Sequence, residues 1–250
     1  MSEEVRAAEQ GSDGPCVSRP KLLDCHTHSH ETSDQAIRSL TYAEWSGGVT
    51  IEEDQLYSIG FHPWSLPQER SLTVLIDQMQ SRLATVPQIV AIGECGVDKV
   101  RSNAALSEQL VWLEAQMRLA CQLHRPILLH TVRAWAEMIE MRSQMAQEFA
   151  QLPPMVLHGF RAKGEVAQMM LSKGFALSFG RRYDAAALHL AFEAKALLVE
   201  TDEIPNGLAH REAIAEVYAL LAKSLATDAA TLADQVAATP FWQLIDKRPL

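Results

Sequence analysis

The sequence predicts an α/β protein, a (β/α)8 barrel, and three observations carry that expectation. Short, evenly apolar segments alternate with stretches whose apolar residues recur at helical spacing. That alternation implies a parallel sheet covered by helices. Roughly eight strand candidates fall between residues 21 and 250, near the usual size of such a barrel. Histidines and carboxylates also stand directly after the apolar segments, where barrel enzymes place their chemistry.

The first strand is Leu22-Leu23-Asp24-Cys25-His26-Thr27-His28. Side chains alternate along a strand, so Asp24, His26 and His28 share one face, and such a set at a strand end suits a divalent cation. Residues Ile37 to Trp45 read as a weak strand. The connection into it is too short for the usual helical crossover, so the barrel is expected to be irregular there. Gln55 to Ile59 leads into Gly60-Phe61-His62-Pro63-Trp64. Leu72 to Val86 is helical through Leu72, Leu75, Ile76, Met79 and Leu83, and stops before Pro87. Ile89 to Ile92 is a strand ending in Gly93-Glu94-Cys95-Gly96-Val97-Asp98. Ser107 to Leu123 is a helix with Pro126 just beyond it, followed by a strand, Ile127 to Leu129, ending at His130. Ala134 to Ala150 is helical, and Met155 to Leu157 is a strand ending at His158. Lys163 to Ser172 is helical and Phe175 to Phe179 extended. Ala185 to Ala194 is helical, and Leu197 to Val199 runs into Glu200-Thr201-Asp202. Two helices, Ala209 to Ala226 and Ala229 to Leu244, close the chain.

Composition limits the functional classes. The 250 residues carry a net charge of -9, so no broad basic surface coats nucleic acid, and any phosphate must be captured locally. The four cysteines form no CxxC pair, and are expected to be reduced thiols in a cytoplasmic protein. Met1 to Pro20 is polar, lacks the apolar core of a signal peptide and is expected to be a disordered tail; residues 21–250 would form the metallohydrolase domain. No apolar run approaches the ~18 residues of a membrane span.

His26, His28, His130, His158, Glu94 and Asp202 together stand at strand ends. One catalytic ion that keeps an open position does not need six ligands. The set suits two ions sharing a carboxylate, an arrangement that makes a hydroxide nucleophile at neutral pH. Ligation by nitrogen and oxygen is compatible with Mn, Zn, Fe or Mg.

The elements Asp24-Cys-His26-Thr-His28, Gly60-Phe-His62-Pro63, Gly93-Glu94-Cys-Gly96-Val-Asp98, His130, His158-Gly-Phe160 and Glu200-Thr201-Asp202 resemble the TatD family of metal-dependent deoxyribonucleases. The resemblance runs from about Leu22 to Ile245 and implies an amidohydrolase-like TIM barrel. It further implies that His26 and His28 hold one ion with Asp202, that His130 and His158 hold the second, and that Glu94 bridges them. Asp202 would be the general base, with Glu94 the other catalytic carboxylate. His62 would lie near the scissile phosphate. The implied activity is Mg- or Mn-dependent hydrolysis of DNA, often from the 3′ end of single strands; Zn is a third candidate metal. The chain departs from the family pattern only in segments that shape the substrate pocket: the short first crossover, the placement of Arg133, the run His158-Gly159-Phe160-Arg161, and the segment Glu203-Ile-Pro205-Asn206-Gly207.

Arg133, Arg161 and Lys163, on loops of the active face, are candidate phosphate contacts, as are Arg181 and Arg182 after the seventh strand. Trp45 and Trp64 either stack on bases or pack beneath loops. The expected substrate is a DNA end, or another small phosphate-bearing or ester substrate met by a monomer. The alternatives are hydrolysis of an aminoacyl ester or amide, as in the removal of D-amino acids from tRNA, and a barrel that binds metal without catalysis.

Overall fold

The structure is a computed structural model that describes residues 21–30, 33–68 and 71–247. The expected tail, Met1 to Pro20, lies outside the described residues. Eight strands are β1 (Asp24–Thr27), β2 (Ala36–Leu40), β3 (Leu56–Ile59), β4 (Ile89–Asp98), β5 (Ile127–Val132), β6 (Met155–Leu157), β7 (Ala176–Phe179) and β8 (Leu197–Val199). Each pairs in parallel with the next, in sequence order. An isolated parallel bridge between Thr27 and Asp202 joins the two ends of the sheet, so the (β/α)8 barrel closes at its C-terminal rim.

Helices cover the outside: α1 (Tyr42–Gly47), α2 (Leu72–Thr85), α3 (Leu106–Leu123), α4 (Trp135–Glu148), α5 (Gly164–Ser172), α6 (Ala185–Glu193), α7 (His210–Ser224), α8 (Ala229–Ala237) and α9 (Pro240–Asp246). The strands are apolar on both faces because the barrel interior buries one face and the helices bury the other. α2 shows how the helices attach: Leu75, Met79 and Leu83 form one stripe and are fully buried. Each such side chain contributes on the order of 1.5–3 kcal/mol by leaving water.

The first crossover carries no helix among its described residues, and β1 still pairs in parallel with β2. Two expected elements are corrected. Ile37 to Trp45 is half strand and half helix. The strand stops at Leu40 because Thr41 and Glu44 form a capping box: Glu44 N–H donates to Thr41 Oγ1 (3.3 Å) and Thr41 N–H to Glu44 Oε2 (2.8 Å). Ala229 to Leu244 is two helices, because Pro240 has no N–H to continue α8 and instead starts α9. β4 runs six residues past the expected end at Ile92, to Asp98.

Candidate metal centre

The rim of the barrel brings the six expected ligands together. His26 lies in β1 and His28 just follows it; Glu94 lies in β4 and His130 in β5; His158 follows β6 and Asp202 follows β8. Glu94 stands in the middle. Its Oε2 is 3.5 Å from Nε2 of both His26 and His28. Its Oε1 is 2.7 Å from His130 Nδ1 and from His158 Nε2. Asp202 Oδ1 lies 3.6 Å from His26 Nε2 and 3.9 Å from His28 Nε2.

Local backbone makes this convergence possible. A Cβ on Gly96 would sit 1.9 Å from the His130 carbonyl oxygen, and one on Gly93 would sit 2.6 Å from that of Leu128. Glycine at both positions lets β4 press against β5 and carries Glu94 to the barrel axis. Asp202 adopts φ 54, the left-handed region, and its backbone clasps β1: Asp202 N–H donates to His26 C=O (3.0 Å) and His28 N–H to Asp202 C=O (3.0 Å). The hydrogen bonds that close the barrel therefore belong to residues of the cluster itself.

Asp24 shares the strand but not the cluster. It is fully buried, accepts from Thr201 Oγ1 (2.7 Å), and its Oδ2 lies 2.9 Å from His210 Nε2. It therefore ties β1 to the residue before Asp202 and to the start of α7. His210 carries no signal in the sequence, because its partner lies 186 positions away.

Two further carboxylates stand behind the imidazoles. Asp98 Oδ2 is 3.2 Å from His130 Nε2, which leaves His130 Nδ1 facing Glu94. A carboxylate behind a ligating imidazole fixes its tautomer and orientation. Glu200 Oε2 is 3.8 Å from His158 Nδ1, and Glu200 also accepts from Gly159 N–H (2.6 Å) and Ser178 Oγ (2.6 Å). Burial lifts the Glu200 carboxyl to about 8. Burial acts the same way on Asp98, but hydrogen bonds from the Arg101 and Val100 amides and the Trp64 indole outweigh it and hold Asp98 at about 2. Both residues sit inside recognisable motifs, yet sequence alone does not show which imidazole each one faces.

His26 decides whether these donors suit a divalent cation. It is fully buried, and neither ring nitrogen has a hydrogen-bond partner. An orphaned buried imidazole is costly unless its lone pair meets an ion. Ligands at ~2.0–2.1 Å around a tetrahedral ion are roughly 3.3–3.4 Å apart, close to the 3.5 and 3.6 Å separations around His26 Nε2. The two carboxylates are ionised: burial opposes this, but neighbouring imidazoles hold Glu94 and Asp202 well below the ordinary carboxylate range. The residues present therefore fit a divalent metal site.

His62 also reaches Glu94, with Nε2 3.1 Å from Oε1. Its Nδ1 accepts the Trp64 N–H at 3.2 Å, so in the neutral ring the proton sits on Nε2 and is donated to Glu94. Burial lowers the His62 pKa and favours that neutral form. This fits a hydrogen-bond donor beside the ions better than a ligand. The cluster opens into a cavity of about 840 Å³ lined also by Trp64, Arg101, Arg133 and Arg161. Arg133 is exposed and held at φ 55. Arg161 Nη2 is 3.8 Å from Asp202 Oδ2. Trp45 is buried beneath the loops, its indole N–H on the Gly60 carbonyl (3.4 Å), and does not reach the cavity.

Fold and cluster together define a (β/α)8 barrel with a divalent-metal site at the C-terminal ends of its strands. The chain belongs to the TatD-related DNase family, whose model matches residues 24–240. Among curated relatives it is 30% identical over 150 residues to a protein of Escherichia fergusonii named 3'-5' ssDNA/RNA exonuclease TatD, covering 57% of this chain and 55% of that one. It is 34% identical over 127 residues to a Cronobacter turicensis protein of the same name, covering 48% and 47%. The chain thus spans about half the length of the curated relatives it matches. Among solved structures, YJJV, a TatD homolog from Escherichia coli k12, matches with a TM-score of 0.72 at 22% identity, over 91% of this chain and 99% of that one. An uncharacterized amidohydrolase from Saccharomyces cerevisiae matches at 0.61 and 16%, over 84% and 88%. At these identities the two structures speak for the fold. Among the described residues no helix is long and apolar enough to cross a membrane.

Proposed function

We propose that this protein is a metal-dependent phosphodiesterase that removes nucleotides from the 3′ ends of single-stranded DNA. One observation carries the proposal. Asp202, a partly exposed and ionised carboxylate, faces the cavity beside the buried imidazoles, and arginines line the cavity around it. The names borne by the curated relatives point to the same substrate class.

In this proposal His26, His28 and Asp202 would hold one divalent cation, Mg, Mn or Zn, His130 and His158 would hold a second, and Glu94 would serve both. When bound, they would polarise the phosphoryl oxygens and lower the pKa of the attacking water. Asp202 holds that water and accepts its proton, which its ionised state allows. His62 donates toward Glu94 and borders the phosphate. Arg133 and Arg161 neutralise the backbone charge, which an acidic chain must do locally. The protein would act as a monomer in the cytoplasm.

The test compares chelated protein with protein reloaded with Mn or Mg. Substrates are oligonucleotides labelled at either end, an aminoacyl-tRNA and a panel of small esters. We expect metal-dependent shortening of single-stranded DNA from its 3′ end. Undiminished turnover in verified metal-free protein, or turnover of the esters alone, would refute the proposal.

A further inference from the structure

We propose that Trp64 is the stacking platform for the base that flanks the cleaved phosphodiester. The inference rests on the phosphodiesterase proposal and adds how the substrate is gripped. Trp64 follows Pro63 on the loop after β3 and is 44% exposed, unusual for the largest apolar side chain in a protein that buries Trp45 and Trp242 almost fully. It lines the cavity that holds the cluster.

The indole is fixed at one edge, flanked by two imidazoles and a guanidinium, and otherwise open to the cavity. Its Nε1–H donates to Asp98 Oδ2 at 2.7 Å, and that carboxylate is anchored by the Val100 and Arg101 amides at 2.7 and 2.9 Å. The rings of His62 and His130 meet it edge-on, with centroids at 4.7 and 5.4 Å. His62 and His130 in turn reach Glu94, at 3.1 and 2.7 Å, so the indole borders the cluster through both rings. The Arg101 guanidinium lies 4.6 Å from the indole centroid. A cation over the ring steadies it and places positive charge beside a base's own phosphate. An exposed aromatic face joined to arginines is how proteins grip single strands without reading sequence.

The packing alternative would have the indole serve only to orient Asp98 and, through it, His130. Two variants separate the roles. Trp64→Phe keeps a stacking face and loses the bond to Asp98, whereas Trp64→Ala loses both. The substrates are a labelled single-stranded oligonucleotide and its twin with an abasic residue at the 3′ terminus. Turnover is measured on metal-loaded protein, and binding is measured by fluorescence anisotropy on Asp202→Asn protein with and without each Trp64 change.

We expect wild type to favour the base-bearing end. Trp64→Ala should lose roughly 5–150-fold on that end, the worth of one base–aromatic stack, and little on the abasic one. Trp64→Phe should keep most of the preference. Equal losses on both substrates, or Phe as poor as Ala, would overturn the inference while leaving the phosphodiesterase proposal standing. Trp64-dependent binding of the base-bearing strand without cleavage would do the reverse. If neither strand binds, the stacking role is also refuted.

Discussion

Replacing Asp202 with Asn separates chemistry from architecture. Residue 202 sits at φ 54, a conformation that Asn tolerates better than most other side chains. Its backbone N–H and C=O make the two 3.0 Å bonds that close the barrel, and both survive the change. What is lost is one negative charge, 3.6 Å from His26 Nε2 and 3.8 Å from Arg161 Nη2, and the only side-chain oxygens at that position able to accept a proton. General-base catalysis typically supplies about 10²–10⁴-fold. At ~1.36 kcal/mol per decade, the barrier should rise by about 2.7–5.4 kcal/mol. The assay is turnover on single-stranded DNA, with metal content and melting temperature measured on the same preparation. Turnover within threefold of wild type, at equal metal content, would remove Asp202 as the base.

Four further outcomes are expected. Gly96→Ala forces a Cβ to within 1.9 Å of the His130 carbonyl, and should cost at or above the ~1–3 kcal/mol usual for overpacking; Gly47→Ala, which meets nothing within 4 Å, should be neutral or stabilising in the same thermal melt. Asp98→Asn should weaken metal affinity by about 10–100-fold through loss of His130 orientation, measured by competition with a chromogenic chelator; unaltered affinity would contradict the placement. Burial raises the thiols of Cys25 and Cys95 and pushes Cys121 up to about 11, so all three should resist alkylation at pH 8 until the protein is unfolded, as read by mass spectrometry. Arg133→Ala should raise KM for a phosphate-bearing substrate and leave metal content unchanged; an unaltered KM would make Arg133 structural.

The barrel was legible in the chain because strand and helix periodicities are local. The apolar stripe of α2 and its stop before Pro87 follow from spacing within a few turns of backbone. The ligand types were legible for a similar reason, since each ends its own apolar segment. The α1 capping box, Thr41 and Glu44, is an equally local signal, but the apolar run before it hides the change of period. Pro240 is likewise a local break, hidden inside the helical spacing of Ala229 to Leu244.

Only the tertiary structure could decide which partner stands opposite which. Glu94 reaches five imidazoles contributed by four segments of the chain, and no local pattern records that convergence. Asp24 appeared to belong with His26 and His28 because side chains alternate along a strand. The closed barrel instead places it beneath the rim, against Thr201 and His210. Trp45 and Trp64 are equivalent as letters, yet one lies under a loop on the Gly60 carbonyl and the other stands in the cavity against Asp98. Residue type and period are properties of a short stretch of chain, whereas burial and the partner of each polar atom depend on segments brought together from up to 195 positions apart, as Tyr218 and Leu23 are.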